Sequence, residues 1–285
     1  MAGFDYLEET LLRLKILYQE EGLEPGILKK IGMKSGWTIL IGTGIQCGMT
    51  INFTGIHHVY DSPEMDPEEL RSLIGKSLIN IAEEHLKSET MHARSLGMAA
   101  INALSQPLIS PGSLLKRGFR VEEDPGFMKK VVRKEDVVTL VGYGGMARML
   151  SEISRELHVT DLRPLHSMQT TIIGREIEYG PNIFFLHEAG DNEIVLGKSD
   201  VAIITASSLL NNTFNDLMDY ASRARHIGLY GPSASLIPDV FFEKGVDFIL
   251  SHRITDPDRF EFSMTNDRNM ERGLKDFQTQ QTIRR

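Results

Sequence analysis

Apolar residues in the first part of the chain recur at helical spacing around two short strand-like runs. Over residues 4–20 they recur every three or four positions, which predicts an amphipathic helix. The runs at 37–41 and 49–53 are typical of strands, and the glycines between them predict a hairpin. Asp66-Pro67-Glu68-Glu69 combines an N-cap, a first-turn proline and a capping acid, which predicts a helix that begins there and extends through Leu78. A further helix is predicted over about 88–104, so this part forms a small α+β unit.

From Val137 onward, β-rich runs alternate with helical ones, a pattern typical of a parallel sheet with helices on both faces. The predicted strands are Val137–Val141, Leu157–Asp161, Val201–Thr205, His226–Tyr230 and Val246–Leu250, with Ile183–Leu186 as an added edge strand. Prolines and glycines interrupt every pattern between Gln106 and Gly126, so the domain boundary is predicted there. The polar tail from about Gly273 is expected to fray.

The first predicted strand of the second part ends in a glycine-rich turn. Its spacing is G-x-G-x-x-A, with Gly142, Gly144 and Ala147 at the fixed positions. After a strand and before a helix, such a turn lets backbone N–H groups approach an anionic ligand closely. Asp161 lies 19 positions after Gly142, where a dinucleotide site would keep its ribose-binding acid. Nucleotide binding is therefore one interpretation of this stretch.

Polar residues follow every main strand predicted in the second part. In an open parallel sheet, ligands bind beyond the carboxyl ends of the strands, so these residues are candidates for ligand binding. They are Gly142, Gly144, Asp161, Arg163, Asn211, Asn212, Gly231, Ser233 and His252. Structural interpretations stay open for several of them. The glycines can serve the turn alone, Asp161 can pair with Arg163, and the run from Thr213 to Asp216 fits a helix capping box.

Composition and charge narrow the possible functions. The chain has 285 residues, 41% of them hydrophobic, which is enough for a sizeable core and two domains. A net charge of −8 argues against nucleic acid and anionic membrane surfaces as partners. The first residues lack the basic and apolar segments of a secretory signal, and no apolar run reaches the roughly 18 residues of a membrane span, so we expect a cytoplasmic protein.

Metal binding by side chains has only weak candidates in the sequence. Cys47 is the single cysteine, so neither an intramolecular disulfide nor a cysteine cluster can form. The histidine groupings are His57 and His58 with Asp61, His187 with Glu188, and His252 with Asp256. None has the spacing of a zinc site. The chain also lacks a G-x-S-x-G elbow and a G-x-x-x-x-G-K-[ST] loop, which disfavours an α/β-hydrolase or a P-loop NTPase.

Four runs in the second part form a distinctive set, namely Ser199–Thr205, Leu210–Thr213, Leu229–Pro238 and Phe242–Asp247. Together they resemble a prokaryotic family of unknown function described as "Putative heavy-metal chelation". Its members typically have an aspartate-led strand, an Asn-Gly-Thr turn, a Gly-Pro-Ser-Thr-Pro turn and a Gly-Val-Asp strand start. This chain departs from that pattern where Asn212 replaces the glycine and Ala234-Ser235 replace the Thr-Pro.

The resemblance implies an α/β fold of two domains. A small α+β domain like the N-terminal domain of enolase would cover residues 1–112, and a Rossmann-like parallel sheet domain would cover residues 113–285. Residues 37–53 and 96–104 are similar to the family's N-terminal part. The resemblance also implies an active site in the cleft between the domains, with Asn102 facing the strand-end loops. Enolase activity is not implied, because enolase's catalytic residues belong to a barrel that this chain lacks.

We therefore expect a protein that binds a small polar or anionic ligand between its domains, with a metal chelator or its precursor as a candidate. One alternative is a nucleotide-dependent oxidoreductase or transferase that uses NAD or a related cofactor. Another is a non-catalytic binding module for metal homeostasis. A divalent metal and an adenosine nucleotide are the candidate cofactors, and a homodimer is the candidate assembly. The sequence leaves open whether the protein catalyses a reaction.

Overall fold

A three-stranded antiparallel sheet and an eight-stranded, mostly parallel sheet organise the molecule. They are seen in a computed structural model whose described residues are 4–34, 36–54, 58–61, 65–124, 126–165, 183–266 and 277–285. In chain order the strands are β1 Lys30–Lys34, β2 Trp37–Ile41, β3 Cys47–Ile51, β4 Arg120–Glu122, β5 Val137–Val141, β6 Glu156–Asp161, β7 Ile183–Glu188, β8 Val201–Thr205, β9 His226–Tyr230, β10 Phe248–Ile254 and β11 Gln278–Arg284.

The helices in the same ranges are α1 Tyr6–Glu21, α2 Pro67–Ser72, α3 Leu78–His85, α4 Met91–Ser105, α5 Pro111–Lys116, α6 Met128–Val131, α7 Ala147–Ile153, α8 Asn192–Leu196, α9 Ser207–Leu210, α10 Phe214–Tyr220, α11 Asp239–Glu243 and α12 Pro257–Asn266. Short 3₁₀ helices cover Gln106–Ile109, Ala189–Asp191 and Pro232–Ala234. None of these described helices is long and apolar enough to cross a membrane.

The first part of the chain is built, as predicted, around α1, the β2–β3 hairpin and α4. Asp5 caps α1 by accepting hydrogen bonds from two backbone N–H groups, and Gly22 ends it with a φ of +62°. β1, which the sequence did not indicate, pairs with β2 as a third antiparallel strand. α4 packs closely on β3 because Gly48 has no side chain, since a Cβ there would lie 2.1 Å from the Ala99 carbonyl oxygen.

The helix predicted from Asp66 is shorter than expected. Asp66 caps α2 as predicted and accepts a hydrogen bond from the Glu68 N–H at 2.8 Å. However, α2 ends at Ser72, and Gly75 follows with a φ of +90°. A right-handed helix cannot continue through that conformation. Leu78 therefore begins a separate helix, α3, instead of extending the first one.

The large sheet has the order β4-β11-β10-β9-β8-β5-β6-β7, and the six strands from β10 to β7 in that order run parallel. All five strands predicted from the alternating pattern are present, and β7 lies at an edge of the sheet, as expected for its sequence. β10 begins at Phe248, two residues later than predicted. The α/β, Rossmann-like class expected for this part is confirmed.

The prediction that the polar tail frays is wrong for its last residues. β11 lies inside the large sheet, antiparallel to β10 on one side and to β4 on the other. Its polar composition hides this role because buried polar groups are tolerated when they are hydrogen-bonded. Gln281 is buried and donates from Nε2 to the Ile109 carbonyl oxygen at 2.9 Å, and Ile283 beside it joins the hydrophobic core.

Two buried clusters cover the faces of the large sheet. The smaller one gathers Leu140, Leu150 and Phe248 with their neighbours. The larger one joins Phe214 and Phe241 of the second part to the buried faces of α1, α4 and the small sheet. The core is therefore continuous across the boundary predicted at residues 112 and 113.

Candidate functional site

A cavity of about 450 Å³ lies at the carboxyl ends of β5, β6, β8 and β9. Trp37, Ile51 and Phe53 close it from the small sheet, together with Val59 from the loop that follows. The cavity therefore lies between the two parts of the chain, at the sheet edge where parallel α/β sheets bind ligands. Its volume is within the usual range for small-molecule sites, roughly 300–1,000 Å³.

The walls of the cavity are rich in aromatic side chains. These are Trp37, Phe53, Tyr143, Tyr220 and Tyr230. Phe53 has a φ of +57°, a left-handed conformation that non-glycine residues rarely adopt and that is enriched at functional sites. Its ring packs edge-on against Tyr60, with centroids 5.1 Å apart. The Tyr230 hydroxyl donates to the Gly142 carbonyl oxygen, and burial raises the pKa of this tyrosine well above its usual value.

The glycine turn reaches the cavity through Gly142. This residue has a φ of +92°, and a Cβ there would lie 3.1 Å from Thr205 Cβ, so glycine is required both for the backbone conformation and for the close approach. The N–H of Gly142 donates to the Thr160 carbonyl oxygen at 2.7 Å. Gly144 has no positive φ and is not among the residues that line the cavity, so the ligand contact expected for it is not supported.

Asp161 lies at the end of β6 and is engaged by protein donors. Its Oδ1 accepts from the Arg163 N–H and Nε, at 2.8 and 3.0 Å, and its Oδ2 accepts from the Tyr143 N–H and Arg163 Nη2, both at 2.8 Å. Burial alone would raise the pKa of Asp161, but the hydrogen bonds and charge of Arg163 outweigh it and lower the pKa. A carboxylate accepts about four hydrogen bonds, so this one has no capacity left for two ribose hydroxyls.

The two asparagines after β8 point to different places. Asn211 lines the cavity, where its Nδ2 donates to Tyr60 Oη at 2.8 Å and its Oδ1 accepts from the Thr213 hydroxyl at 2.8 Å. Asn212 has a φ of +60°, and its Oδ1 accepts from Arg94 Nη2 at 2.5 Å. It borders a second, more polar cavity of about 400 Å³ beside the start of α1.

The capping box predicted at Thr213 is wrong. No backbone N–H of α10 donates a hydrogen bond to the side chain of its N-cap, Thr213. The Thr213 hydroxyl donates to Asn211 instead, which holds the asparagine in the cavity wall. A local turn contact is therefore preferred over the helix cap at this position.

The loop after β9 contributes Gly231 to the cavity, while the other residues expected nearby lie behind its wall. Asn102 is 0% exposed, and its Nδ2 donates to the Met49 carbonyl oxygen at 2.8 Å and to the Ser233 carbonyl oxygen at 3.2 Å. The Ser233 hydroxyl accepts from the Thr50 hydroxyl at 2.9 Å. The expectation that Asn102 faces the cleft is not met, because its amide ties β3 to this loop.

His252 is also absent from the cavity wall. It follows the buried part of β10, and burial lowers its pKa despite a hydrogen bond to the Gly231 backbone. The structure therefore brings together Gly142, Asp161, Arg163, Asn211 and Gly231. It leaves Gly144, Asn102, Asn212, Ser233 and His252 outside the cavity wall.

The histidine groupings do not assemble a metal site within the described part of the chain. No three histidine, cysteine, aspartate or glutamate side chains there are placed to hold an ion. His57 lies outside the described residues. His58 is 3.5 Å from Asp61 on an exposed loop. His187 Nε2 of the edge strand β7 lies 2.9 Å from His158 Nδ1 of the neighbouring β6, so these two rings form a hydrogen-bonded pair.

Sequence reasoning missed the aromatic walls for two reasons. Tyr143 and Tyr230 stand directly beside the glycines that were singled out, so extending the strand-end argument by one residue would have found them. Trp37 lies in β2 and Phe53 follows β3, so both come from the other part of the chain, which contacts this edge only in the folded molecule. No local pattern marks them as cavity residues.

The comparisons with known proteins cover both parts of the chain. Residues 18–105 and residues 127–264 match two family models that carry the same description, "Putative heavy-metal chelation". A solved structure from the second of these families, of a Pyrococcus horikoshii protein with unknown function, has a TM-score of 0.69 at 19% identity and covers 97% of this chain and 100% of its own. A Desulfitobacterium hafniense structure from that family has a TM-score of 0.68 at 20% identity and covers 98% of this chain and 100% of its own.

A curated relative is an uncharacterized protein of Methanocaldococcus jannaschii. It is 25% identical over 170 residues, which make up 58% of this chain and 56% of the relative. The match thus spans about half the length of that relative. The structural likenesses establish the shared fold, and the descriptions of these relatives name no substrate.

Proposed function

This chain belongs to the family described as "Putative heavy-metal chelation", and from that premise we propose that its cavity binds a small organic molecule of the class of metal chelators or their precursors. One observation carries the proposal, namely the cavity of about 450 Å³ between the two parts of the chain. It combines the strand-end position typical of ligand sites in parallel sheets with aromatic walls that suit an organic ligand.

A bare metal ion fits the described residues poorly. No three ligating side chains converge among them. Cys47 is fully buried, and burial raises the pKa of its thiol to about 11, which opposes the thiolate form that binds soft metals. A role in metal handling would therefore depend on an organic molecule in the cavity. A binding module that coordinates the metal ion with its own side chains is the weaker alternative.

A dinucleotide also fits less well than the glycine spacing suggests. The acid that would bind the ribose, Asp161, already accepts four hydrogen bonds from Tyr143 and Arg163. The N–H of Gly142 is bonded to Thr160. NAD is therefore a useful negative comparison in any binding experiment.

Thermal unfolding with aromatic chelators tests the proposal. We expect millimolar 2,2′-dipyridyl to raise the Tm, because a ligand that binds only the folded state stabilises it, and we expect NAD to have no effect. Leu162 lines the cavity and is half exposed, so Leu162→Trp should block the site without disturbing the core. This variant should lose the shift in Tm.

Ile194→Trp is the matched control, because Ile194 is exposed and does not line the cavity. It should keep the shift of the unmodified protein. Equal shifts in both variants would place binding elsewhere, and a shift with NAD alone would favour the nucleotide-dependent alternative.

A further inference from the structure

The charges around the cavity are unbalanced toward the negative side. Four described side chains that line it carry charge, namely Asp161, Arg163, Glu193 and Asp216. Asp161 and Arg163 form an ion pair at 2.8 Å and neutralise each other. Glu193 and Asp216 are both exposed and have no ion-pair partner among the described residues. Within the described part of the chain, the rim therefore presents two carboxylates without an ion-pair partner.

The two carboxylates lie on neighbouring elements. Glu193 is in the first turn of α8 and Asp216 is in the first turn of α10, and these two helices pack against each other. The rim charges are thus built into the helices that form this side of the cavity.

Two polar oxygens without a hydrogen-bond partner among the described residues lie in the same wall. Thr160 and Asn192 both line the cavity, and Thr160 Oγ1 and Asn192 Oδ1 are buried without a hydrogen-bond partner. A buried polar atom without a partner is unfavourable. Asn192 Oδ1 can only accept and therefore calls for a donor from water or from a ligand, whereas the Thr160 hydroxyl can either donate or accept. Asn192 directly precedes Glu193, so an unsatisfied acceptor and a rim charge share one region.

The aromatic walls of the cavity also favour a positively charged ligand. Tyr220 lies on α10 one turn beyond Asp216, and Trp37 and Phe53 close the cavity from the small sheet. The face of an aromatic ring attracts a cation, most strongly for tryptophan. A protonated amine offers both the positive charge for the carboxylates and rings and the N–H donors for the unpaired oxygens.

We propose that the ligand of this cavity carries a protonated primary or secondary amine beside an apolar or aromatic body. The inference rests on the proposed function, because it assigns the charge of the ligand bound at that same site. The amine would lie at the Glu193 and Asp216 side, and the apolar body would lie against the aromatic walls. An anionic ligand, which the glycine turn had suggested, would meet two carboxylates at the rim.

Trp37 makes the test direct, because it is the only tryptophan of the chain and it lines the cavity. Its fluorescence is titrated with three probes that share a phenyl ring and differ in charge, namely phenethylamine, 2-phenylethanol and 3-phenylpropanoate. We expect phenethylamine to bind most tightly and 3-phenylpropanoate least. Added salt should weaken phenethylamine, because screening reduces the attraction of exposed carboxylates.

A double variant, Glu193→Gln with Asp216→Asn, removes the rim charges and keeps the shape. It should weaken phenethylamine binding about threefold or more, the effect expected from two exposed charges, and leave 2-phenylethanol binding unchanged. Asp219→Asn is the matched control, because Asp219 is an exposed acid on the same helix that does not line the cavity.

Equal affinity for phenethylamine and 2-phenylethanol, or tighter binding of 3-phenylpropanoate, would overturn the inference and leave the proposed function standing. An equal loss of affinity in Asp219→Asn would also overturn it, because the effect would then be nonspecific. A lack of any fluorescence response to the three probes would overturn it as well. In that case the proposed function would be tested separately by the Tm shift with 2,2′-dipyridyl, whose presence would support ligand binding in the cavity.

Discussion

Single polar side chains hold the cavity wall in place from behind. Asn102 joins the Met49 carbonyl oxygen of β3 to the Ser233 carbonyl oxygen, and the Ser233 hydroxyl accepts from the Thr50 side chain and the Ile51 N–H. All of these groups are shielded from water, so each hydrogen bond replaces one that water can no longer provide. They fix the position of the small sheet against the loop that carries Gly231.

Asn102→Ala should lower the free energy of unfolding by about 1–3 kcal/mol, because it leaves two buried carbonyl oxygens without their donor. Probe binding in the cavity should change little, since Asn102 is not part of its wall. Urea unfolding and the Trp37 titration measure the two effects separately.

Asn215→Ala is the comparison variant, because Asn215 donates one hydrogen bond to the Phe4 carbonyl oxygen and is only half buried. Its cost should be smaller. A large loss of probe affinity in Asn102→Ala with unchanged stability would contradict the structural role of Asn102 and would indicate that its side chain faces the cleft.

At the scale of elements, the strand, turn and helix over residues 137–153 show how one glycine differs from its neighbour. Gly142 has a φ of +92° and touches Thr205 and Tyr230, whereas Gly144 has an ordinary φ and its nearest neighbour would be 3.7 Å from an added Cβ. Only the first glycine is demanded by the fold. The two glycines of the G-x-G-x-x-A motif therefore differ, because only Gly142 is required by its backbone conformation and by close packing.

Gly142→Ala should lower the free energy of unfolding by about 1–2 kcal/mol, because a side chain in the left-handed region is strained and the neighbouring atoms must move. Gly144→Ala should stay within about 0.5 kcal/mol of the unmodified protein. Parallel urea denaturation of the two variants makes the comparison. Equal costs would show that the turn conformation differs from the one described.

β11 is the element whose role depends most on its surroundings. It is sandwiched between β4 and β10, with Ile283 buried and Gln280 exposed. Ile283→Ala should lower the free energy of unfolding by about 2–5 kcal/mol because it empties part of the core. Gln280→Ala should change it by no more than about 0.5 kcal/mol. A frayed tail would instead make both substitutions neutral in chemical denaturation.

At the scale of the whole molecule, the two parts of the chain share their interior. The Tyr6 ring packs against Phe214 and Phe241, with centroids 4.8 and 5.4 Å away. Asp239, buried on α11 of the second part, lies 3.5 Å from Arg13 Nε of α1. Neither part can expose these groups to water without a large cost.

We therefore predict that the chain unfolds in a single transition and that residues 1–112 alone do not fold cooperatively. Calorimetry of the full chain should give a van't Hoff enthalpy equal to the calorimetric one. The isolated segment should lack a sharp thermal transition by circular dichroism. Two resolved transitions in the full chain would show that the boundary separates independent domains.

Most of the secondary structure, and the edge of the sheet where the cavity lies, could be predicted from residue spacing. Hydrophobic periodicity is a local property, so α1, α4 and the parallel strands were readable from residue spacing. The position of Gly142, Asn211 and Gly231 at strand ends followed from the same reasoning. The motifs around β8 and β9 were sufficient to indicate the family.

Which side chains line the cavity depends on contacts that form only in the folded chain. Asp161 pairs with Arg163, as the sequence allowed, but the Tyr143 N–H also occupies it, and the Met49 carbonyl oxygen occupies the buried Asn102 amide, because remote segments meet these side chains in the folded state. Trp37 becomes a cavity wall only when the small sheet docks on the large one. Hydrogen-bond partners and packing faces are set by contacts between remote segments, and such contacts leave no mark on local spacing.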